Sequence, residues 1–253
     1  MDVGVLNISI ELIPRNTDHL EEELKLVQSE YPAFNAINIP DLLRLQTRSW
    51  EGAAQAKRYY ANSIPHIRAI DFNLKQGFSL LDELAQHQIT QVLVVTGDPP
   101  QDMNRSVYPT TSIDLIRTIK QARPDMKVYG AIDPYRDNFR LEYDYIQRKL
   151  DAGADGFFTQ PFFDLRLMEI YYELLGSQDT YWGVSPVMSD RSRNYWETKN
   201  NAIFPRDFSP TMEWNTQFAR RVLDFCETTG TNAYFMPIKV ELKAYLDGIF
   251  HNG

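Results

Sequence analysis

The chain has 253 residues, 43% hydrophobic and 24% charged, enough length and apolar content to bury a large core. A net charge of −8 and a pI near 5.1 argue against the basic face that nucleic acid or an anionic membrane surface requires. The single cysteine, Cys226 in a helical run, excludes an internal disulfide framework or cysteine zinc site and reads as a small buried hydrophobe.

The opening stretch from Met1 to Ile10 has no basic segment leading into a long apolar run. No apolar stretch approaches the roughly 20 residues of a membrane span. A cytoplasmic protein is expected. From there short apolar, β-branched runs alternate with amphipathic stretches of helical length. A strand is predicted at residues 5–13 and a helix at 20–31, with Thr17-Asp18 as its cap and acids in its first turn. Strand and helix then alternate as 33–39 and 50–62, 66–70 and 79–87, 91–96 and 112–123. The second half repeats this as 127–132 and 139–152, 156–159 and 165–175, 181–185 and 213–228, 232–237 and 240–250. Gly153 and Gly230 fit positions where a left-handed residue ends a helix.

The strand runs are almost continuously apolar, which suits parallel strands buried on both faces. Eight strand–helix units predict an α/β protein, a single (βα)8 barrel occupying residues 1–253. An open doubly wound sheet is the alternative, but no Gly-x-Gly-x-x-Gly follows any strand. The chain ends soon after the eighth helix, so no separate regulatory domain is expected.

Barrel enzymes carry their reactive groups at the carboxyl ends of the strands. Glu11 is a lone acid in the run Ile8-Ser9-Ile10-Glu11-Leu12-Ile13-Pro14. A buried carboxylate is costly unless paired or neutral. Glu11 is therefore either half of a salt bridge or a carboxyl with a raised pKa, able to donate a proton near neutrality. Asp98 follows Thr96-Gly97 at the end of the fourth strand, and Pro99-Pro100 stiffen the loop behind it. Gly97 would let a ligand approach the backbone closely; the other reading of Asp98 is a turn cap. Gln160 ends the sixth strand beside Phe162 and Phe163. An amide offers both a donor and an acceptor, which suits the edge of a flat heterocycle. The two phenylalanines either line a substrate or pack the loop. His66 is a ligand contact or a satisfied barrel histidine. No acids or histidines show metal-ligand spacing, so no metal is expected, and no Gly-x-Ser-x-Gly or Walker loop is present.

Taken together, these segments resemble the methylenetetrahydrofolate reductase family over nearly the whole chain. Ser9-Ile10-Glu11-Leu12-Ile13-Pro14 is similar to the family's Ser-Phe-Glu-Phe-Phe-Pro segment, and Thr96-Gly97-Asp98-Pro99-Pro100 to its Gly-Asp-x-Pro segment. The most specific match is Asp151-Ala152-Gly153-Ala154 through Thr159-Gln160-Pro161-Phe162-Phe163-Asp164. His66 with Asp71, and Gly183 through Ser189, match weaker segments.

The resemblance implies a barrel holding FAD, reduced by NADH or NADPH, that converts 5,10-methylenetetrahydrofolate to 5-methyltetrahydrofolate. It implies Glu11 as general acid and Asp98 as a negative charge favouring a cationic intermediate. It implies Gln160, with Phe162, as contacts to the pterin of the tetrahydrofolate. It carries flavin contacts onto Asn38, His66, Thr96, Gly97, Asp98, Tyr108, Ala131, Asp133, Arg148 and Lys149. Family members often assemble through the barrel, which implies a homo-oligomer. The sequence departs from the family at Arg15-Asn16, in the segment from Asn38 to Leu43, and at Asp133, whose charge is unfavourable beside a diphosphate. These departures keep open a flavin-independent reductase. A folate-binding methyl-transfer protein or a partner-dependent subunit on the same barrel is the other alternative.

Overall fold

The computed structural model describes residues 6–100 and 105–251. Eight strands hydrogen-bond in chain order into a closed barrel. They are β1 (Ile8–Glu11), β2 (Ala36–Ile39), β3 (Asn62–Arg68), β4 (Gln91–Val95), β5 (Lys127–Ile132), β6 (Gly156–Pro161), β7 (Asp179–Val184) and β8 (Asn232–Phe235). The intervening helices are α1 (Thr17–Glu30), α2 (Ser49–Ala56), α3 (Leu80–Gln86), α4 (Ser112–Ala122), α5 (Phe139–Asp151), α6 (Leu165–Leu175), α7 (Asp190–Lys199), α8 (Met212–Thr229) and α9 (Leu242–Phe250). This is the expected (βα)8 barrel. The start of the predicted first strand, Val5, lies outside the described residues. No described helix is long and apolar enough to cross a membrane.

Residue contacts gather into two compact units. One comprises Leu12–Ala131 and Asp144–Phe157. In it β2, β3, β4 and β5 pair in parallel, with Asn38 opposite Ile64 and His66 opposite Leu93. Its core is aliphatic: Leu20, Leu24, Val27, Ile37, Ile39, Ile64, Ile67, Val92, Val94 and Ile116 are all fully buried. Burial of each such side chain contributes about 1.5–3 kcal/mol.

The other unit comprises Met1–Glu11, Ile132–Tyr143 and Phe158–Gly253. In it β7 and β1 flank β8 in parallel; Ser9 and Gly183 are both register partners of Tyr234. Its packing is aromatic: Tyr135, Phe163, Trp196 and Phe208 form one buried cluster with Val187 and Ala202.

The second helix, expected at residues 50–62, ends at Ala56, and Asn62 already belongs to β3. The third strand was expected at residues 66–70 but runs Asn62–Arg68, and Ala69–Asp71 is a tight 3₁₀ turn. Pro65 hides the strand because proline cannot donate to a ladder, yet here it sits opposite Ile39. Helix α7 was not expected. It is almost wholly polar and buries only Trp196, so it has no apolar stripe to read; Ser189 caps it by accepting from the Ser192 N–H.

Candidate active site

Glu11 is the last residue of β1. Its Oε2 accepts a hydrogen bond from the Tyr234 hydroxyl of β8. The residue keeps some solvent exposure, but its carboxyl is sunk far enough that burial raises its pKa to about 7, against the lowering effect of the Tyr234 bond. Burial and the neighbouring carboxylate push the Tyr234 phenol well above its ordinary value, so it remains a donor. Near neutral pH Glu11 can thus both hold and release a proton. The sequence marked Glu11 but not Tyr234. The signal was there: a phenol inside a short apolar strand needs a hydrogen-bond partner when buried.

Gln160 lies in β6 and is exposed. Phe158 stacks on Tyr181 with centroids 4.2 Å apart and meets the Tyr234 ring edge-on at 5.1 Å. In a regular strand Phe162, four residues on, would share that face. Instead it packs against Trp182 and against Tyr171 of α6, each at 5.6 Å. The Gly183 N–H donates to Thr159 Oγ1 at 2.8 Å, while the Phe162 N–H donates to the Gly183 carbonyl at 2.9 Å. Phe162 lies one residue beyond β6, so the strand's alternation does not carry over to it. The packing corrects the expectation for Phe162. With no exposed surface, it packs under α6 and offers no face to a substrate.

In the other unit, Asn38 of β2 and His66 of β3 are buried neighbours, Nδ2 to Nε2, at 3.2 Å. Burial lowers the His66 pKa to about 3, so the imidazole is neutral at any ordinary pH. Arg68 is the unforeseen centre at the end of β3. It is buried, donates to the Asp98 carbonyl at 2.6 Å and to Asp71 at 3.2 Å. Arg48 bridges the same Asp71 to the buried Asp41. A lone cation in Ile67-Arg68-Ala69-Ile70 carries the same signal as Glu11 in β1, and it was missed. Gly97 has φ +87°, and a Cβ there would stand 3.1 Å from Arg68 and 3.2 Å from Ile70. The Arg68 and Ile70 side chains crowd the space beside this glycine. Asp98 itself is exposed.

Further along this unit, Tyr108 borders a cleft of about 540 Å³ with Asn73, Lys75, Thr110, Arg117 and Gln121. Thr96 accepts from the Ile70 N–H through its carbonyl. Lys149 is buried: its ammonium bonds the Ala131 carbonyl and lies 4.1 Å from the centre of the Tyr145 ring. It ties α5 to β5 and is not presented as an open phosphate contact, contrary to expectation. Arg148 is exposed. In the unit that holds Glu11, half-buried Asp133 closes a turn, accepting from the Tyr135 N–H at 3.1 Å and sitting 3.8 Å from Arg136.

The family model for methylenetetrahydrofolate reductase matches residues 2–189. The chain belongs to the methylenetetrahydrofolate reductase family. Relatives named 5,10-methylenetetrahydrofolate reductase from Pectobacterium carotovorum subsp. carotovorum and Escherichia coli (strain K12) are each 23% identical over 168 residues. The match covers 64% of this chain and 56% and 57% of the relatives, so the chain spans little more than half their length.

Among solved structures, an uncharacterized protein from Clostridium thermocellum that binds two copies of 5-methyl-5,6,7,8-tetrahydrofolic acid has a TM-score of 0.62. It is 14% identical, over 97% of this chain and 94% of that one. A 2,3-dimethylmalate lyase of the PEP mutase/isocitrate lyase superfamily has a TM-score of 0.60 at 11% identity, over 92% and 75%. Those likenesses show the fold alone. Within the methylenetetrahydrofolate reductase family frame, the expected flavin contacts Asn38, His66, Thr96, Gly97, Tyr108, Ala131, Arg148 and Lys149 all fall in one compact unit, with Glu11, Gln160 and Asp133 in the other.

Proposed function

We propose that this chain reduces 5,10-methylenetetrahydrofolate to 5-methyltetrahydrofolate with NADH or NADPH as reductant and FAD as hydride carrier. The observation that carries the reading is the Glu11–Tyr234 pair in a chain of this family: a carboxyl with a pKa of about 7 is a proton donor matched to neutral pH. The names of the relatives and the bound 5-methyl-5,6,7,8-tetrahydrofolic acid of the Clostridium thermocellum protein support the substrate class.

Protonated Glu11 gives its proton to N10 of the folate. The bond from N10 to the bridging carbon breaks, and the five-membered ring opens to an N5 iminium cation. Hydride addition to that carbon makes the N5-methyl group, so one proton and one hydride are consumed. Tyr234 orients Glu11 and stabilises the carboxylate left after the transfer. Asp98 supplies negative charge that favours the cation, and Gln160 bonds the pterin edge.

The residues at the ends of β2, β3 and β4 fit a flavin. Asn38 and neutral His66 can each donate or accept toward an isoalloxazine edge, and Tyr108 opens on a cleft with Lys75 and Arg117. Those groups, with Thr96, the Gly97 backbone and Arg148, would hold it. FAD, when bound, supplies two-electron hydride chemistry between the nicotinamide and the folate. A second reading, hydride passing directly from the nicotinamide, is favoured by the engaged Lys149 and the acidic Asp133, which thin the charge available to a diphosphate.

The test is a visible absorption spectrum of purified protein after incubation with FAD. NADH or NADPH is then added, followed by 5,10-methylenetetrahydrofolate. Flavin absorbance that bleaches and then recovers supports the flavin route. Nicotinamide consumption that depends on folate, without flavin absorbance, supports direct transfer. No consumption in either case rejects the reductase reading in favour of a folate-binding or methyl-transfer role.

A further inference from the structure

Ser185 directly follows β7 and is buried to 3% exposure, yet its Oγ has no hydrogen-bond partner among the described residues. A buried hydroxyl without a partner is destabilising, and native proteins leave few of them. Its place on the barrel says what it serves. Ser9, Tyr234 and Gly183 are register partners on β1, β8 and β7. Side chains alternate along a strand, so Glu11, Met236 and Ser185, each two residues farther on, share their face toward the carboxyl ends. A Cβ on Gly183 would lie 2.7 Å from Met236 Cε, which sets β7 and β8 on a common face here. The segment bearing Ser185 is fixed from behind. Buried Asn215 of α8 accepts from the Val187 N–H at 2.9 Å and donates to the Val187 carbonyl at 3.1 Å, and Pro186 stiffens the link between.

Resting on the reductase reading above, we propose that the Ser185 hydroxyl is a substrate-binding group that hydrogen-bonds a polar edge of the reduced pterin served by Glu11. The hydroxyl has no protein partner among the described residues and gains one when the folate binds. A structural serine would show the opposite balance, with its partner already in the protein.

The test compares wild type with Ser185→Ala in two measurements: the thermal midpoint of the ligand-free protein, and the Kd for 5-methyltetrahydrofolate by calorimetry. Removing an unpartnered hydroxyl should leave the midpoint unchanged or raise it, while folate binding weakens roughly 3- to 10-fold, as for one neutral hydrogen bond. In turnover, KM for 5,10-methylenetetrahydrofolate should rise, with nicotinamide oxidation by an artificial quinone acceptor unchanged. Ser185→Thr, which restores a hydroxyl, should recover part of the affinity. A Ser185→Ala protein that binds folate as wild type does overturns the proposal, as does a lowered midpoint with unchanged affinity, the mark of a structural water on Ser185. Wild type that binds no folate at all overturns the reductase reading itself and the proposal with it.

Discussion

The Tyr234 hydroxyl donates to Glu11 Oε2, linking β8 to β1 at a carboxyl that burial raises to a pKa of about 7. The proton affinity expected of Glu11 follows from the balance between that burial and the Tyr234 hydrogen bond.

The first expectation concerns Glu11→Gln, which keeps the shape and removes the proton. Folate reduction should fall by at least about 100-fold, the usual contribution of a general acid, while nicotinamide oxidation by a quinone stays near wild type. In wild type the protonated form is lost as pH rises through about 7, so the folate half-reaction should decline above that value. Stability moves in the same direction. The folded pKa lies above the ordinary 4.5, so the stabilising contribution is complete below that value and is lost as pH rises through about 7. Urea titrations at pH 5 and pH 8 should show wild type losing more stability than Glu11→Gln. Equal loss in both proteins would remove burial as the cause of the shift.

Tyr234→Phe tests the other side of the balance. The hydrogen bond favours the charged carboxylate, so its removal should raise the Glu11 pKa further. A bond to a charged group is worth about 1.5–3 kcal/mol, or roughly 1–2 pH units. The alkaline limb of the folate half-reaction should move upward by that amount. A limb that stays in place would mean that Tyr234 does not set the proton affinity of Glu11.

How much of this was legible beforehand differs by residue. Eight apolar runs with helical spacers gave the barrel, because parallel strands buried on both faces leave a plain signal. Glu11 stood out as a charge where charge is costly. Tyr234 did not: a phenol inside a short apolar strand signals the need for a partner, but that partner lies more than 200 residues away in the chain and cannot be named locally. Arg68 was readable by the rule applied to Glu11 and went unread behind the misplaced third strand. Phe162 was expected against the pterin from the resemblance, and only the packing under α6 reveals that it is buried. Lys149 was expected beside the flavin from the resemblance, and only the fold reveals the Ala131 carbonyl that its long side chain reaches.

Gly97→Ala should destabilise the protein whatever it does to ligands. The residue sits at φ +87°, where a Cβ is strained, and that Cβ would press on Arg68 and Ile70 at 3.1 and 3.2 Å. A loss of about 1–3 kcal/mol is expected from strain and overpacking together, measured by urea denaturation. Unchanged stability with weakened flavin binding would restore the view that this glycine makes room for a cofactor.

His66 should give a stability profile opposite in sign to that of Glu11. Its folded pKa is lowered by burial to about 3 from 6.5. The contribution is therefore present above 6.5 and is lost as pH falls below it, reaching a few kcal/mol near the folded pKa. His66→Gln should flatten the acid limb of the unfolding free energy between about pH 6 and pH 4. An acid limb of unchanged slope would show that His66 is already protonated in the folded protein.

Arg148 and Lys149 are sequence neighbours with opposite expected behaviour. Arg148 is exposed, so Arg148→Ala should leave stability within about 0.5 kcal/mol while weakening FAD by roughly 10-fold, about 1.4 kcal/mol. Lys149 is buried on the Ala131 carbonyl. Lys149→Met should therefore cost about 1–3 kcal/mol of stability, as expected when a carbonyl loses its donor, and change the FAD Kd little. Flavin fluorescence titration and urea denaturation on the two variants separate the roles. If Lys149→Met loses FAD while keeping its stability, the ammonium must leave Ala131 when the cofactor arrives, and the buried bond is a resting position for a phosphate ligand rather than a brace between α5 and β5.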